Sequence, residues 1–342
     1  MMYPLTDRYH RTAVDLRVSL TDRCNLRCVY CMPAEGLPWL PREEMLTDDE
    51  LIRLISISVT LLGIRKVRLT GGEPLIRPGV VGLVERVAAL RLPHGGPVEL
   101  SLTTNGLGLT RMAGPLARAG LHRVNVSLDT VDRETFATLT RRDRLDDVLA
   151  GMAAARDAGL RPVKVNAVLM RGVNDHQAPD LLAFCLREGY QLRIIEQMPL
   201  DAQHGWTRDG MVTAEETLDR LREHVELTPV DAGERGAAPA ELFVVSGHTD
   251  ASGAPATVGV IASVSAAFCG ACDRTRLTAD GQLRTCLFAT EESDLRAPLR
   301  SGAADDEIAL RWQRAMAGKK AGHGIDSPDF LQPLRPMSAI GG

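Results

Sequence analysis

Three cysteines stand close together near the start of the chain, at Cys24, Cys28 and Cys31, in the spacing C-x3-C-x2-C. Thiols on so short a loop cannot form disulfides with one another in good geometry. They can converge on one inorganic centre, and cysteine thiolates are the usual ligands of iron–sulfur clusters. A [4Fe–4S] cluster normally takes four such ligands. The motif therefore predicts a cluster in which one iron is left open to a small molecule.

Zinc is the main alternative for this loop. A structural zinc site needs a fourth Cys or His nearby or in a second knuckle, and no His lies between Cys24 and Cys31. The odd number of cysteines disfavours a disulfide framework, and the density of the motif disfavours a chance group of buried thiols. An iron–sulfur cluster is the interpretation that the spacing favours.

A second set of three cysteines lies in the C-terminal half, at Cys269, Cys272 and Cys286, in the spacing C-x2-C-x13-C. It again offers three thiolates without a fourth nearby. Zinc competes more strongly here, because C-x2-C pairs often bind zinc, and His248 is one candidate for a distant fourth ligand. The seventh cysteine, Cys185, lies in an apolar helical segment, where we expect a plain core residue.

Composition limits the class of protein. The 342 residues are ample for the core of one large domain or two, and no apolar run approaches the ~20 residues of a membrane span. The N-terminus lacks the basic-then-apolar pattern of a signal peptide, so seven cysteines favour metal or redox chemistry in a reducing compartment. The net charge is −4 with acids and bases interspersed, so neither a nucleic-acid nor a membrane surface is expected. A cytoplasmic enzyme is predicted.

The segments that must position the cysteines alternate between short strands and helices. Strands are predicted at 14–20, 66–70, 98–103, 123–128, 163–169 and 192–198. Helices are predicted after a capping box that begins at Thr47, and at 80–92, 111–119, 145–158 and 178–188. Six β-then-α units imply a parallel sheet. The predicted fold class is α/β, with an open, partial (βα)6 barrel of the TIM type.

Side-chain alternation along these strands predicts a polar interior. The apolar residues of each strand fall on one face, which must meet the surrounding helices, and the polar residues fall on the other. The polar face includes Arg17, Arg68 and Lys164 with few acids beside them, and unpaired buried charges are costly. An anionic ligand such as a phosphate would relieve that cost. In the alternative interpretation, the polar residues satisfy one another and are only structural.

The loops at the C-terminal ends of the strands, where such barrels keep their chemistry, carry further polar signals. The second strand leads into Thr70-Gly71-Gly72-Glu73-Pro74, whose paired glycines allow backbone to approach a ligand closely. A Gly-Gly pair alone usually marks only a tight turn. The third, fourth and sixth strands end in TTNG at 103–106, SLD at 127–129 and EQMP at 196–199.

Beyond residue 205 the pattern changes. A helix is predicted near 213–224, short strands at 241–245 and 257–261, a surface loop over 232–240, a turn over 250–256 and a hairpin turn at Asp280-Gly281. We therefore divide the chain into a barrel at 1–205, a smaller C-terminal α+β domain at 206–326 that carries the second cluster, and a tail at 327–342 ending in Gly-Gly. The smaller domain is expected to close the open side of the barrel.

The first motif resembles the radical S-adenosylmethionine (SAM) superfamily, in which the amino and carboxylate groups of SAM take the open iron. The resemblance rests on the cysteine spacing with Asn25, Arg27 and Tyr30 between or beside the ligands. The Gly-Gly-Glu loop that follows is similar to the superfamily motif that holds the amino group of SAM.

The second triplet narrows the resemblance to the GTP 3′,8-cyclase family, radical SAM enzymes of molybdenum cofactor biosynthesis. It is followed by Arg274-x-Arg276 and by the pattern D-G-x-L-x-x-C-L at 280–287. The match covers nearly the whole chain, from residue 17 to the C-terminal Gly-Gly. Asp273 and Thr275 depart from the Asn and Leu that the family commonly has, which puts local packing in question.

The resemblance implies two [4Fe–4S] clusters, held by the two cysteine triplets, with SAM on the first and the guanine of GTP on the open iron of the second. The residues implied for the SAM site are Tyr30, Gly72, Ser127 and Met198. Those implied for GTP are Arg17, Arg68, Thr103, Lys164, Arg274, Thr275 and Arg276. Three of these, Arg17, Arg274 and Arg276, are also implied as catalytic. A radical formed from SAM would take hydrogen from C3′ of GTP, and the carbon radical would add to C8.

The resemblance also implies an electron donor such as flavodoxin or ferredoxin, a downstream cyclic pyranopterin monophosphate synthase, and a C-terminal Gly341-Gly342 that reaches into the active site. A homodimer is a further expectation. Two alternatives stay open. A radical SAM enzyme that modifies peptides should lack the basic interior and expose a peptide groove, and a non-catalytic iron–sulfur or zinc module would leave the Gly-Gly-Glu loop and the interior cations without purpose.

Overall fold

The computed structural model describes residues 3–341 of the chain, apart from the side chains of residues 232 and 234. Its centre is a run of parallel strands that pair in chain order. These strands are Asp15–Ser19 (β1), Lys66–Thr70 (β2), Glu99–Thr104 (β3), Arg123–Ser127 (β4), Lys164–Val168 (β5) and Gln191–Ile195 (β6). All six agree within a few residues with the strands that the sequence predicts, so the predicted open (βα)6 arrangement is confirmed.

Helices follow the strands and cover their outer side. They are Asp48–Thr60 (α1), Val80–Ala88 (α2), Leu109–Arg118 (α3), Arg133–Thr140 (α4), Leu145–Asp157 (α5) and Ala178–Glu188 (α6). The predicted capping box is present, because the Thr47 hydroxyl accepts from the Glu50 amide and the Glu50 carboxylate accepts from the Thr47 amide. Burial of the apolar strand faces, such as Leu16 and Val18 at 0% exposure, supplies the core between sheet and helices.

Helix α4 was not predicted from the sequence. It has only eight residues, and its apolar contribution is limited to Phe136 and Leu139, so the helical period is too short to detect. The Asp132 carboxylate caps its first turn by accepting from the Thr135 amide, and Arg141 ends it in the left-handed region at φ 56°.

The C-terminal part adds strands to both edges of the barrel sheet. It contains Leu227–Pro229 (β7), Glu241–Thr249 (β8), Pro255–Ile261 (β9), Arg274–Leu277 (β10), Gln282–Arg284 (β11) and Ser293–Asp294 (β12). Strand β9 runs parallel to β6, and β10 runs parallel to β1. One twelve-stranded sheet therefore runs through both parts of the chain, and the division at 205 and 326 stays a prediction.

The helices of this part are Ala214–Arg222 (α7), Ala232–Arg235 (α8), Arg296–Arg300 (α9), Asp305–Ala317 (α10) and Met337–Ile340 (α11). The predicted helix near 213–224, both predicted strands and the Asp280-Gly281 hairpin between β10 and β11 are confirmed. The prediction that 232–240 is entirely a loop is wrong, because α8 begins there, with the Asp231 carboxylate accepting from the Gly233 amide. Within residues 3–341, none of the helices has the length and apolar character needed to cross a membrane.

Candidate functional site

The first cysteine triplet lies on the loop after β1, at the end of the barrel where the parallel strands terminate. All three thiols are half-buried. Turns shape the loop: the amides of Cys31 and Met32 donate to the Cys28 carbonyl at 2.9 Å, and the Leu26 amide donates to Cys24 Sγ at 3.4 Å. Burial raises the pKa of Cys31 to about 12, and a negative charge on Cys24 adds to the shift. The structure therefore brings the three thiols into one small space.

The Gly-Gly-Glu loop packs against this cysteine loop through backbone. The Gly72 amide donates to the Thr21 carbonyl at 2.7 Å, and a Cβ on Gly72 would lie 2.6 Å from the Asp22 carbonyl oxygen. Gly71 adopts φ 139° beside the same Thr21. Only glycine fits at both positions, because a side chain at either one would push the cysteine loop away. The expected contact between Gly72 and SAM stays a prediction.

Glu73 is fully buried and ties the ends of β2 and β3 together. Its carboxylate accepts from the Thr104 hydroxyl at 2.8 Å and from the Asn105 amide at 2.7 Å. Burial raises its pKa to about 7. The side chain of Asn105 in turn donates to Asn25 at 2.7 Å, next to Cys24. Glu73 thus fixes the neighbours of the first triplet.

Three residues expected at the SAM site, Tyr30, Ser127 and Met198, line one cavity of about 250 Å³. Tyr30 is oriented by its hydroxyl, which donates to the Asp129 carboxylate at 2.7 Å, while that carboxylate also accepts from the Val168 amide. Burial raises the pKa of Asp129 to about 6. The carboxylate therefore serves to hold the aromatic ring at the cavity wall.

The second triplet lines the same cavity. All three of its cysteines are half-buried lining residues, and Cys269 opens a single 3₁₀ turn. Burial raises the pKa of Cys272, but the charges of Lys319 and Arg274 outweigh this effect and the net shift is downward. One cavity therefore connects Tyr30 of the first cysteine loop with the second triplet.

The fourth ligand considered for zinc does not join the second triplet. His248 lies elsewhere, in a surface hollow with residues of α6 and α7 such as Leu182 and Leu221. This histidine therefore does not supply the fourth ligand that a structural zinc site on the second triplet would need.

Arginines dominate the remaining wall of the cavity. Arg17, Arg68, Arg193, Arg274 and Arg276 all line it, and Thr103 lies among them. The strand register explains the grouping, because Arg17 is the partner of Arg68 on one side and of Arg276 on the other. Alternation along β1 and β2 predicts two of these cations. Arg193, which lines the cavity from β6, was not predicted, although the same alternation applies to that strand.

These cations are poorly compensated. Among the side chains that the structure describes, no carboxylate lies within ion-pair distance of Arg17, Arg68, Arg193 or Lys164, and the Nε atoms of Arg17 and Arg68 have no hydrogen-bond partner. The buried Asp15 carboxylate attracts Arg17 and Arg68 at longer range, so one acid serves several cations. Lys164 does not itself line the cavity, but it lies on the same face of β5 as Asn166, which does. Burial lowers the pKa of Arg17 to about 9 and that of Lys164 to about 7, with repulsion from neighbouring arginines adding to both shifts. Such an interior favours an anionic ligand over mutual satisfaction of the polar residues.

Thr275 does not share this interior. It alternates with Arg274 and Arg276 on β10, so its side chain lies on the other face, where it is 0% exposed. The Trp312 indole donates to its hydroxyl at 3.2 Å. The Thr275 side chain therefore does not line the cavity, and the implied contact between Thr275 and GTP stays a prediction that its backbone would have to make. The same hydrogen bond shows how the core accommodates Thr where the family commonly has Leu.

The tail runs between the two triplets. The Ser338 amide donates to Cys31 Sγ, Ile340 packs against Leu200 and Phe288, and Arg276 donates to the Gly341 carbonyl. Gly341 adopts φ 82°, and a Cβ there would lie 2.6 Å from Thr70 Cγ2. The backbone of the tail therefore reaches the site, as expected for Gly341. Gly342 lies outside the described residues.

Comparisons with known proteins identify two matching family models. The model described as Radical SAM superfamily matches residues 18–185, and the model described as Molybdenum Cofactor Synthesis C matches residues 190–325. Together they cover the barrel and most of the C-terminal part.

Curated relatives match over the full chain. A GTP 3′,8-cyclase of Streptomyces coelicolor is 66% identical over 338 residues, covering 99% of this chain and 96% of the relative. A GTP 3′,8-cyclase of Mycolicibacterium smegmatis is 63% identical, covering 99% and 92%. Among solved structures, SuiB of Streptococcus suis bound to S-adenosylmethionine superposes with a TM-score of 0.61 at 14% identity, covering 91% of this chain and 68% of SuiB. The last likeness shows the fold alone.

Proposed function

The chain belongs to the GTP 3′,8-cyclase family of radical SAM enzymes, and we propose that it converts GTP to (8S)-3′,8-cyclo-7,8-dihydroguanosine 5′-triphosphate. This conversion is the first step of molybdenum cofactor biosynthesis. The observation that carries the proposal is the single cavity lined by Tyr30 of the first cysteine loop, by the second triplet and by arginines, two of which, Arg17 and Arg68, have an Nε without a hydrogen-bond partner.

The donor sets fit the cofactors of the family. SAM and a [4Fe–4S] cluster are the cofactors of radical SAM enzymes, and Cys24, Cys28 and Cys31 are the thiols proposed for that cluster. A second [4Fe–4S] cluster on Cys269, Cys272 and Cys286 is the finer proposal. When bound, the first cluster supplies the electron that cleaves SAM and so provides the radical.

The protein's own part is to bind and orient. The proposed ligands of the triphosphate are interior cations that form no ion pair with a described side chain. Arg17, Arg68 and Arg193 line the cavity, and Lys164 lies on the same face of β5 as the lining residue Asn166. The guanine would then reach toward the second triplet, beside Arg274 and Arg276. With both ends of GTP held, the ribose is fixed between them, which replaces an entropically costly encounter by a preset geometry. The buried walls also exclude water from the reaction.

The remaining partners are proposals as well. The reaction needs an electron donor, for which we propose an acidic one-electron carrier such as flavodoxin or ferredoxin. The product would pass to a cyclic pyranopterin monophosphate synthase. Cytoplasmic location and a homodimer complete the proposal.

The basic interior weighs against the peptide-modifying alternative. A peptide substrate does not require a group of uncompensated arginines, whereas a triphosphate forms charge-assisted hydrogen bonds with several of them. The non-catalytic alternative leaves those same arginines buried and unpaired at a cost in stability.

An anaerobic assay tests the proposed function directly. The reconstituted protein is incubated with SAM, GTP and dithionite, and the products are separated by chromatography and identified by mass. We expect 5′-deoxyadenosine and the cyclised nucleotide in equal amounts. Formation of 5′-deoxyadenosine without any change in GTP would contradict the choice of substrate, and absence of both would contradict the enzyme class.

The affinity for GTP should fall as the pH rises above about 7. Burial lowers the pKa of Lys164 to about 7 in the free protein, and Arg193, Arg123 and Arg68 add repulsion. A bound triphosphate favours the protonated lysine, so binding takes up a proton above that pKa. Below it the lysine is already charged, and affinity does not depend on its titration. Above it the dissociation constant should rise by up to about tenfold per pH unit.

Calorimetric titration between about pH 6 and 9 measures this dependence. The matched control is Lys164→Met, which keeps the apolar stem and removes the titrating group. The control should bind more weakly at low pH and show a flatter profile above neutrality. Equal slopes in both proteins would mean that another group, on the protein or on the nucleotide, sets the pH dependence.

Gly341→Ala should uncouple SAM cleavage from product formation. The added Cβ would collide with Ser19 and Thr70, which displaces the carbonyl that Arg276 contacts. Folding, iron content and SAM cleavage should persist. Product per 5′-deoxyadenosine should fall by about tenfold or more, as expected from the loss of one charge-assisted hydrogen bond of about 1.5–3 kcal/mol.

Gly302→Ala is the matched control for this substitution. Gly302 has a similar φ of 84°, so alanine suffers the same backbone strain, but no atom lies within 4 Å of its added Cβ. It should lose stability without losing coupling. If Gly341→Ala gives the same amount of product per 5′-deoxyadenosine as the parent protein, the tail has no role in the reaction.

A further inference from the structure

Lys319 lies directly behind the second cysteine triplet. It follows helix α10 and is 3% exposed. Its Nζ donates to Cys272 Sγ at 3.3 Å, to the Cys272 carbonyl at 3.2 Å and to the Arg274 carbonyl at 2.8 Å. These three acceptors use all the donors of an ammonium group. The ammonium is therefore held in one orientation, with one N–H aimed at a sulfur.

No carboxylate among the described side chains balances the charge of this ammonium. The buried cations Arg274 and Arg284 differ in this respect, because they pair with Asp273 and Glu292. A buried, uncompensated ammonium is expensive. The negative charge that can compensate it is the thiolate of Cys272 and any anionic cluster bound there.

We propose that Lys319 is a positioning residue for the second cluster, which orients the Cys272 thiolate and stabilises the reduced form of the cluster. The inference rests on the proposed function, because it requires an iron–sulfur cluster on Cys269, Cys272 and Cys286. Lys319 does not line the cavity, so it acts on the cluster from behind and not on the substrate.

The physical basis is the gain of negative charge on reduction. One electron added to the cluster makes the cluster and its thiolates more negative, and no bond forms or breaks. A fixed positive charge within hydrogen-bonding distance of a ligand sulfur favours that reduced state. Hydrogen bonds to sulfur and net local charge are established determinants of the potential of such clusters.

The neighbouring segment supports the same role. The His323 amide donates to Cys269 Sγ, and Arg11 donates to the carbonyls of Cys269, Lys320 and Ala321. The stretch 319–323 therefore touches two of the three ligands and is itself clamped to the N-terminal part. Lys319 is the member of this stretch whose buried side chain brings a full positive charge to a sulfur.

The test isolates the second cluster and measures its reduction. The full-length chain carries Cys24→Ala, Cys28→Ala and Cys31→Ala, is reconstituted with iron and sulfide, and is titrated with dithionite while the reduced cluster is followed by electron paramagnetic resonance. Lys319→Met removes the charge and the donor, Lys319→Gln removes the charge alone, and Lys319→Arg keeps both. Lys320→Met is the matched control, since Lys320 is exposed and one residue away.

We expect Lys319→Met to shift the equilibrium toward the oxidised cluster by about tenfold or more, which is about 59 mV for one electron. Lys319→Gln should shift it in the same direction, and Lys319→Arg and Lys320→Met should stay near the parent. If the Lys319→Met protein fails to retain iron, the reduction potentials of the Lys319→Gln and Lys319→Arg proteins are compared instead.

Two results would overturn the inference in distinguishable ways. If the parent protein binds iron and its reduction potential equals that of the Lys319→Met, Lys319→Gln and Lys320→Met variants, the role of Lys319 is rejected, while the second cluster still stands. A parent that binds no iron, or that binds zinc, would reject the second cluster and with it this part of the proposed function.

Discussion

Replacing Cys24, Cys28 and Cys31 with Ala should abolish cleavage of SAM, whereas replacing Cys269, Cys272 and Cys286 should leave cleavage measurable and stop cyclisation of GTP. The reason is spatial. The first triplet lies on the loop after β1, while the second lies beside β10 and β11 at the far wall of the cavity. Each set of substitutions should therefore remove one cluster and about half of the bound iron.

Iron and sulfide analysis, with 5′-deoxyadenosine release as the activity measurement, checks this prediction in anaerobically prepared protein. Cys185→Ala is the control for the loss of a thiol as such, because Cys185 is fully buried in α6 and away from both triplets. It should keep all of its iron and cost only about 1 kcal/mol of stability. If the variant of the second triplet lost SAM cleavage as completely as the first, the two sites would not be separable.

The sequence predicted the strands and most helices of the barrel well, because the patterns that indicate them lie within single elements. Strand β2 and helix α6 have the predicted bounds, since alternation in the one and helical periodicity in the other are complete within the element. Helix α4 was missed for the opposite reason, as its two buried apolar residues do not define a period. The pairing of β9 with β6 and of β10 with β1 is a long-range choice that no local pattern specifies.

The residues of the candidate site also fall into those that local patterns predict and those that they do not. Alternation alone placed Arg17, Arg68 and Lys164 in the interior. The two arginines line the cavity, and Lys164 does not. Alternation along β10 would have placed Thr275 on the opposite face of the strand from Arg274 and Arg276. The family resemblance instead implied that all three residues contact GTP. Lys319 could not be found from the sequence, because nothing in its neighbourhood distinguishes a lysine aimed at sulfur from Lys320, which is exposed.

Glu73 shows the limit of a motif. The resemblance associates the Gly-Gly-Glu loop with the amino group of SAM, yet the Glu73 carboxylate is occupied by Leu75, Thr104 and Asn105. The two glycines are required by the backbone of 21–23, which lies too close for any side chain. The motif therefore describes how the cysteine loop is held in place at least as much as what the loop binds.

Arg17→Ala and Arg68→Ala should each weaken GTP binding by about 10- to 150-fold, because a charge-assisted contact to a phosphate contributes about 1.5–3 kcal/mol. SAM binding should change little. The loss of stability should be small. Both side chains are half-buried, both have an Nε without a hydrogen-bond partner, and burial lowers the pKa of Arg17 to about 9 and that of Arg68 to about 10. Attraction to the buried Asp15 carboxylate offsets part of this cost. Removing either cation should therefore change the unfolding temperature little.

Arg77→Ala is the contrasting control. Arg77 is also largely buried, but its donors are satisfied by the carbonyls of Leu20 and Leu46 and by the Asp48 carboxylate at 2.7 Å. Its loss should lower the unfolding temperature, because it leaves buried acceptors without a partner. Calorimetric titration with GTP and thermal unfolding of the three variants separate the two kinds of arginine. Unaltered GTP affinity in both Arg17→Ala and Arg68→Ala, together with a loss of stability like that of Arg77→Ala, would return the interior arginines to a structural role.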